Sequence, residues 1–296
     1  MQSQRHRGVD AIESSRTCWT ATTIMSGLPQ ELIDRIIDHV DDRISLRACS
    51  LVSSRWSPRS RKHLFAQVEL ASISDLQRWC TRIRPGPSGL SSLVEHLTLS
   101  ECHDIDHPSS MSPSPSWLHP SILTNAAPHF QSFSALRALE IRRWRMATDR
   151  ILLVIHSLGS SIKNVTRLTL GNVTVHPSTL TMFIGYFPHL DDLSISAVKL
   201  PMTLEGTGDS HREFHGEIVP THPRGEFSAS DIPVYQVPEV FKAITLLEPR
   251  FHRVTLDFDS YGSWRKYWPL IEACAGWLEE LQILTDATSE RTHLDL

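Results

Sequence analysis

The sequence predicts an α/β protein in which three short N-terminal helices precede a repetitive domain built around a parallel sheet. Three observations support this prediction. Apolar residues between positions 28 and 65 recur at spacings of three and four, as they do on one face of a helix. Beyond residue 90, one pattern of three apolar positions returns six times. Helix-like segments separate the copies, so strands and helices are expected to alternate.

The first helix is predicted from five apolar residues at helical spacings, Leu32, Ile33, Ile36, Ile37 and Val40. Pro29 suits the start of this helix, where a missing N–H costs nothing, and Glu31 favours the positive end of the helix dipole. A second apolar stripe contains Leu46, Cys49, Val52 and Trp56. Pro58 forces a break before a third segment that ends in Leu64 and Phe65. A unit of roughly 40 residues is near the lower limit for an independent core, so part of its apolar surface is expected to meet a partner.

Residues 26–70 resemble an F-box. The family pattern runs from Leu-Pro-x-Glu through an apolar helix to Val-Ser-x-x-x-Trp, and the matching residues here are Leu28, Pro29, Glu31, Leu32, Ile33, Ile36, Val52, Ser53 and Trp56. Proteins of this family dock the helical face onto a Skp-family adaptor, which is attached to a cullin ubiquitin ligase. The resemblance implies that the adaptor is bound by Leu28, Pro29, Leu32, Ile33, Ile36, Val52 and Trp56. The alternative is an ordinary three-helix subdomain packed against its own C-terminal neighbour, because apolar stripes usually belong to a core.

A connecting helix and turn are predicted over residues 71–90. Leu76, Trp79, Cys80 and Ile83 fall on one helical face, and a run of Pro and Gly from residue 85 ends the helix.

The six copies of the apolar pattern predict six buried strands in residues 91–296. They are Val94-x-x-Leu97-x-Leu99, Leu136-x-x-Leu139-x-Ile141, Val165-x-x-Leu168-x-Leu170, Leu190-x-x-Leu193-x-Ile195, Phe251-x-x-Val254-x-Leu256 and Leu278-x-x-Leu281-x-Ile283. Their central residues lie 42, 29, 25, 61 and 27 positions apart, and three of these intervals are close to the length of a leucine-rich repeat. Two aperiodic stretches, at about 103–116 and 201–233, are expected to be exposed loops.

The repeats resemble the degenerate leucine-rich units that follow the F-box in fungal F-box proteins. Each unit reads as strand, turn, helix and turn, and such units stack into a curved solenoid with a parallel sheet inside. The alternative is a doubly wound α/β domain with a central ligand crevice. We disfavour it because no Gly-rich phosphate loop follows any predicted strand.

Composition excludes several classes of protein. The chain has 296 residues, 40% of them hydrophobic and 21% charged, with a formal charge of −4. This charge and the lack of a basic stripe predict no nucleic-acid partner, and the lack of a long apolar run predicts no membrane span. Five scattered cysteines fit a reducing compartment, so we expect the protein in the cytoplasm, the nucleus or both. Residues 1–25 are expected to form a disordered leader, since they lack the apolar region of a secretory signal.

No catalytic or metal-binding pattern holds in the sequence, so we predict a non-catalytic protein without a cofactor. His211, Glu213 and His215 lack the spacing of a zinc-protease helix, in which Glu directly follows the first His. Cys102, His103 and His107 have no second pair of ligands at a useful spacing.

The functional surface of the repeats is expected to be the open face of the sheet. Side chains alternate along a strand, so the residues that flank the inner apolar positions point away from the core. From this row we select as candidates for target binding Thr98, Glu140, Arg142, Arg167, Thr169, Asp192, Arg253 and Asp257. The same mixed polar character is also what any exposed sheet face would show.

The leading functional hypothesis is a substrate-recognition subunit of a Skp/cullin/F-box ubiquitin ligase, which binds the adaptor through the F-box and a target protein through the repeats. One alternative is a leucine-rich-repeat scaffold or binding protein that acts outside a ligase. A third class, a small-molecule enzyme on an α/β fold, would require a deep pocket lined by converging titratable groups.

Overall fold

The computed structural model describes residues 27–83, 89–101, 120–146, 148–201, 221–258, 264–285 and 292–295. These residues fall into two units, one within Met1–Arg61 and the other within Lys62–Leu296. The expected leader over residues 1–25 and the expected loop over 103–116 lie outside the described residues. So do the histidines at positions 211 and 215 and the Cys102, His103 and His107 group.

The first unit is helical. Helix α1 spans Gln30–Asp38, α2 spans Arg43–Val52, and α3 (Ser57–Ala66) begins in this unit. Pro29 directly precedes α1, as its fixed φ favours. Asp42 caps α2, since its Oδ1 accepts a hydrogen bond from the Ser45 N–H at 2.7 Å. This bond to the charged carboxylate lowers the pKa of Asp42.

The second unit is built on a nine-stranded sheet, which confirms the α/β class and the parallel sheet. Its strands are β1 (Gln67–Leu70), β2 (His96–Ser100), β3 (Ala138–Arg142), β5 (Arg167–Gly171), β7 (Asp192–Ser196), β8 (Glu226–Ser230), β9 (Arg253–Phe258), β10 (Glu280–Thr285) and β11 (Thr292–Asp295). All neighbouring pairs are parallel except β10 with β11, which is antiparallel. Two short strands, β4 (Arg145–Met146) and β6 (Thr174–Val175), form a separate parallel pair.

Helices connect these strands. The α-helices of the second unit are α4 (Ile73–Arg82), α5 (Pro120–Phe130), α6 (Thr148–Leu158), α7 (Pro177–Gly185), α8 (Val237–Thr245) and α9 (Trp268–Cys274). Shorter 3₁₀ turns occupy Leu90–Leu93, Gly159–Asn164 and Trp264–Lys266. With α1 to α3, the described residues contain nine α-helices.

The central apolar residues of the six predicted copies lie in one row of paired positions across the strands of the sheet. Leu97 pairs with Leu139, and the same row continues through Leu168, Leu193, Phe227, Val254 and Leu281. These residues are buried in one core cluster together with helix residues such as Phe183 and Phe241. Burial in this core also raises the pKa of the Cys274 thiol to about 11.

Two strands lie where the sequence analysis expects none, and both expectations need correction. Strand β1 lies inside residues 26–70, the segment assigned to the helical N-terminal region, and pairs with β2. Strand β8 lies inside the stretch 201–233, which is expected to be a loop, and pairs with β7 and β9. Strand β8 therefore divides the 61-residue interval between Leu193 and Val254.

A repeated turn follows four of the strands. One residue just beyond each of β3, β5, β7 and β8 adopts a positive φ near 50°, and these residues are Arg143, Asn172, Ala197 and Asp231. The residue after each is a buried apolar side chain, in order Trp144, Val173, Val198 and Ile232. The left-handed residue turns the chain so that the next side chain enters the core, although only Asn172 and Asp231 are types that adopt this conformation readily.

The strand order follows the chain order through the whole sheet, from β1 to β11. A doubly wound domain needs a reversal of strand order at its ligand crevice, and the described strands contain no such reversal. The curved solenoid of leucine-rich units remains a prediction.

Candidate functional site

Helix α1 carries two adjacent apolar ridges, and the unit covers only one of them. Ile33 and Ile37 are fully buried, while Leu32 and Ile36 are each 46% exposed. Both pairs are four residues apart, so each pair forms a continuous row along the helix. Covering one row of a helix and leaving a neighbouring apolar row in water is the arrangement expected where a partner supplies the missing cover.

Helix α2 adds further exposed apolar side chains. Leu46 is buried, whereas Ile44 is 80% exposed, Leu51 is 86% exposed and Val52 is 53% exposed. Ile44 and Leu51 are seven residues apart and therefore lie on the same side of α2. We define Leu32, Ile36, Ile44, Leu51 and Val52 as the N-terminal apolar surface. It contains five of the nine large apolar side chains that are exposed in the described residues, although α1 and α2 make up a small part of them.

Polar contacts hold α1 against the segment that follows α2. The Arg55 Nη2 donates to the Leu28 carbonyl at 2.6 Å, and the Gln30 Nε2 donates to the Arg55 carbonyl at 3.0 Å. At the other end of α1, the Arg59 guanidinium donates to both carboxylate oxygens of Asp38, at 2.5 and 2.7 Å. A two-pronged contact of this kind fixes orientation as well as distance. These contacts anchor both ends of α1 and so keep its exposed ridge in place.

The residues predicted to bind an adaptor divide into two groups in the structure. Pro29, Leu32, Ile36 and Val52 are exposed and Leu28 is half-buried, whereas Ile33 and Trp56 are buried. Ile33 and Trp56 therefore support the surface from within and do not offer side chains outward in this structure. Ile44 and Leu51 were not predicted as binding residues, although their seven-residue spacing indicates a shared helix face.

The residues predicted to bind a target lie on the face of the sheet opposite the core. Thr98 pairs with Glu140, and Glu140 pairs with Thr169, so these three form one cross-strand row. Arg167 pairs with Asp192 in a parallel row. The remaining candidates lie on the same face: Arg142 beside Gly171, Arg253 beside Glu226 and Glu280, and Asp257 beside Leu284. We call this set the outer face of the sheet.

Glu140 is the centre of the polar contacts at one end of the outer face. Its Oε1 accepts a hydrogen bond from the Arg142 Nε at 2.7 Å, and its Oε2 accepts one from the Thr98 hydroxyl at 3.0 Å. The His96 Nε2 lies 3.7 Å from the same oxygen. Thr98 and Glu140 are only 9% exposed, so Arg142 and His96 are the members of this group that offer solvent-facing side chains.

Charge pairs continue across the sheet. The Arg167 Nε donates to Asp192 Oδ2 at 3.2 Å, and the Arg253 Nε donates to Glu280 Oε2 at 2.6 Å. Arg253 also contacts Glu226, and the hydrogen bond to Glu280 together with the charge of Glu226 raises the pKa of its guanidinium. Glu226 was not predicted as a site residue because its strand, β8, was not recognised in the sequence. In these pairs, opposite charges on neighbouring strands thus satisfy one another.

The described residues contain no cluster of three or more His, Cys, Asp or Glu side chains that could hold a metal ion. None of their helices combines the length and the apolar character that crossing a bilayer requires.

Comparison with known proteins relates part of the chain to an F-box protein. No family model matches the chain. "F-box protein COS111" from Kluyveromyces lactis is 35% identical over 74 residues, which are 25% of this chain and 10% of that protein. The match thus spans about a tenth of the length of this curated relative. It supports a relationship to F-box proteins, while the leucine-rich repeats remain a prediction.

The two ridges of α1 should respond differently to truncation. Replacing the buried Ile33 with Ala should cost about 2–4 kcal/mol of unfolding free energy, because it leaves a cavity. Replacing the exposed Ile36 with Ala should cost about 0.5 kcal/mol or less. Chemical denaturation measures the unfolding free energy of each variant. Hydrogen exchange of the α1 amides measures the stability of this helix in the same variants. Equal losses for Ile33→Ala and Ile36→Ala would show that Ile36 is part of the core.

Proposed function

We propose that the chain is a substrate-recognition subunit of a Skp/cullin/F-box ubiquitin ligase. Residues 28–67 bind the Skp-family adaptor, and through the adaptor the chain joins a cullin. The repeats of the second unit bind a target protein and present it for ubiquitin transfer. The N-terminal apolar surface is the observation that carries this proposal, and the similarity to an F-box protein supports the assignment of its partner.

The exposed ridge of α1 has the chemistry of an adaptor-binding surface. Leu32 and Ile36 match the apolar helix of the F-box pattern, and Pro29 matches the start of the pattern. Completing the burial of five aliphatic side chains that are 46% to 86% exposed would contribute on the order of 5 kcal/mol before the costs of association. A contribution of this size makes exposure of these side chains unfavourable in the free chain. It makes their burial against a partner favourable.

The buried residues of the F-box pattern have a supporting role in this proposal. Ile33 and Trp56 are covered inside the chain and fix the position of α1. Their loss would weaken adaptor binding indirectly, by loosening the helix that carries Leu32 and Ile36.

The second unit is proposed to be a leucine-rich-repeat-like solenoid that recognises the target. The parallel register and the agreement of strand order with chain order are what stacked strand–helix units produce. The outer face would supply the contacts, with Thr98, Glu140 and Thr169 in its central row and Arg142, Arg167, Asp192, Arg253 and Asp257 around it. Arg142 and Arg167 have the most exposed of the charged side chains whose ion pairs on this face are described.

The contribution of the chain to ubiquitin transfer is positional in this proposal, without catalysis or a cofactor of its own. Holding a target beside the reactive thioester of the ligase raises the effective concentration of the reacting groups. The scattered cysteines and the partner complex fit a protein of the cytoplasm, the nucleus or both.

Charging the exposed ridge should abolish adaptor binding. We expect the double variant Leu32→Asp, Ile36→Asp to lose co-purification with a co-expressed Skp-family adaptor, because two carboxylates cannot be buried in an apolar interface. The matched control is Tyr235→Asp, Leu246→Asp, which also replaces two exposed apolar side chains but in the second unit. It should co-purify with adaptor at the yield of the unaltered chain.

Unchanged adaptor yield for the Leu32→Asp, Ile36→Asp variant would overturn the assignment to a ligase. The chain would then fit a binding protein that acts outside the ligase. Circular dichroism of both variants should show the same helix content as the unaltered chain, since all four side chains are exposed.

The outer face is tested by removing its two most exposed arginines. Arg142→Ala with Arg167→Ala should cost about 1–3 kcal/mol, because the exposed pair of Arg167 contributes little but the loss of Arg142 removes a charge-assisted hydrogen bond from the largely buried Glu140. We expect quantitative mass spectrometry of purified complexes to show the adaptor unchanged and at least one class of associated protein depleted several-fold. Arg82→Ala with Lys163→Ala, two exposed cations elsewhere in the second unit, is the control. An identical set of associated proteins in the two variants would exclude these arginines from target recognition.

A further inference from the structure

A third candidate binding site lies at the edge of the sheet where β8, β9 and β10 begin. Arg224, Arg250, His252, Trp277 and Glu279 line an open cavity of about 430 Å³. Each of the three strands starts one to three residues beyond one of these side chains. We call the cavity the edge notch. None of its residues belongs to the N-terminal apolar surface or to the outer face.

Backbone hydrogen bonds hold the three chain segments of the notch side by side. The Arg250 N–H donates to the Pro223 carbonyl at 2.8 Å, and the His252 N–H donates to the Gly225 carbonyl at 3.1 Å. The Glu279 N–H in turn donates to the His252 carbonyl at 2.8 Å. The backbone hydrogen bonds of the sheet therefore fix the positions of the three segments that carry the side chains of the notch.

Glycine is required at one point of this frame. A Cβ on Gly225 would lie 2.4 Å from Asp192 Oδ1 and 2.9 Å from the Asp191 carbonyl. The Gly225 N–H donates to that same carbonyl at 2.9 Å. This close approach lets the segment before β8 lie against β7 and brings Arg224 beside the segment that carries His252.

Two arginines of the notch are available to bind an anion. The Arg250 guanidinium carbon lies 5.1 Å from the centre of the Trp277 ring, over its face. The ring attracts the cation electrostatically, so this contact requires no hydrogen bond from the N–H donors of the guanidinium. Among the described residues, neither Arg224 nor Arg250 takes part in an ion pair, in contrast to Arg142, Arg167 and Arg253 of the outer face.

Trp277 adds an apolar surface to the notch, and His252 and Glu279 add polar groups. Trp277 is 55% exposed, so much of its indole can still be covered by a ligand. The His252 Nδ1 lies 2.7 Å from the Arg224 carbonyl, and because a carbonyl can only accept, Nδ1 carries a proton and Nε2 is left for a ligand. Among the described residues that line the notch, Glu279 supplies the one negative charge against two arginines.

We propose that the edge notch binds an acidic peptide segment, in which an anionic side chain meets Arg224 and Arg250 and a neighbouring apolar side chain covers Trp277. Arginine matches the geometry of carboxylate and phosphate groups, so both anions share the required chemistry. The exposure of Arg224, Trp277 and Glu279 favours a peptide that crosses the notch, since pockets for small ligands enclose most of the ligand surface.

Labelled peptide pools test this proposal on the full chain without adaptor, so its outcome is independent of ligase membership. Fluorescein-labelled octapeptides would carry Leu-Glu, Leu-phosphoserine or Leu-Gln at the centre, with the other positions drawn from Gly, Ala, Ser, Thr and Gln. We expect the Glu or the phosphoserine pool to bind at least fivefold more tightly than the Gln pool in fluorescence anisotropy. The stronger of the two identifies the anion as a carboxylate or a phosphate.

Variants assign the binding to the notch. Arg224→Gln and Arg250→Gln should each weaken binding of the acidic pool about five- to tenfold, the loss of one charge-assisted hydrogen bond at a partly exposed site. Trp277→Ala should weaken it as well, whereas Glu279→Gln should strengthen it by removing the opposing charge. Arg82→Gln, an exposed arginine on α4, is the control and should change nothing.

Equal affinity of the Gln pool and the two acidic pools would overturn the proposal, as would the absence of binding by any pool. So would Arg224→Gln and Arg250→Gln proteins that bind like the Arg82→Gln control. Thermal denaturation of each variant beside the unaltered chain separates loss of binding from loss of folding.

Discussion

Helix α1 has more apolar side chains than its own unit can cover, and the proposed function depends on this imbalance. One helix offers a limited width to its neighbours, so the row of Ile33 and Ile37 is buried while the row of Leu32 and Ile36 faces water. Contacts from Arg55 and Arg59 fix both ends of the helix and so hold this arrangement. A stable helix with an uncovered apolar row is suited to meet a partner without first unfolding.

The second unit buries its apolar side chains and pairs its charged ones. Its inward side chains form in-register apolar rows, whereas its outer face pairs opposite charges on neighbouring strands, such as Arg167 with Asp192. The edge notch departs from this rule, because Arg224 and Arg250 carry charge without an ion pair among the described residues. Two such arginines lie around one cavity beside the exposed Trp277, and this combination distinguishes the notch as a candidate binding site.

Periodicity predicted much of this architecture, and its failures have physical causes. The six copies with apolar residues at all three positions were recognised as strands, because burial on one face imposes that spacing. Strand β8 was missed since Arg224 occupies the position that is apolar in the other copies, and the required Gly225 reads as a loop residue. Strand β1 was missed because it follows α3 directly, with no turn residues to mark the change.

The candidate site was predictable in part for a related reason. Spacing shows which side chains share a helix face, but only tertiary packing decides which face is covered. Leu32, Ile33 and Ile36 therefore looked equivalent in the sequence, and the structure separates buried Ile33 from the exposed pair. Ile44 and Leu51 were not predicted because the apolar stripe assigned to the second helix contained Leu46, Cys49, Val52 and Trp56 instead.

Hydrogen–deuterium exchange of the purified chain, with and without a Skp-family adaptor, tests the central claim most directly. The account predicts slower exchange in Gln30–Asp38 and Arg43–Val52 when the adaptor is present, and unchanged exchange in the strands of the sheet. Identical exchange in these two helices with and without saturating adaptor would contradict it.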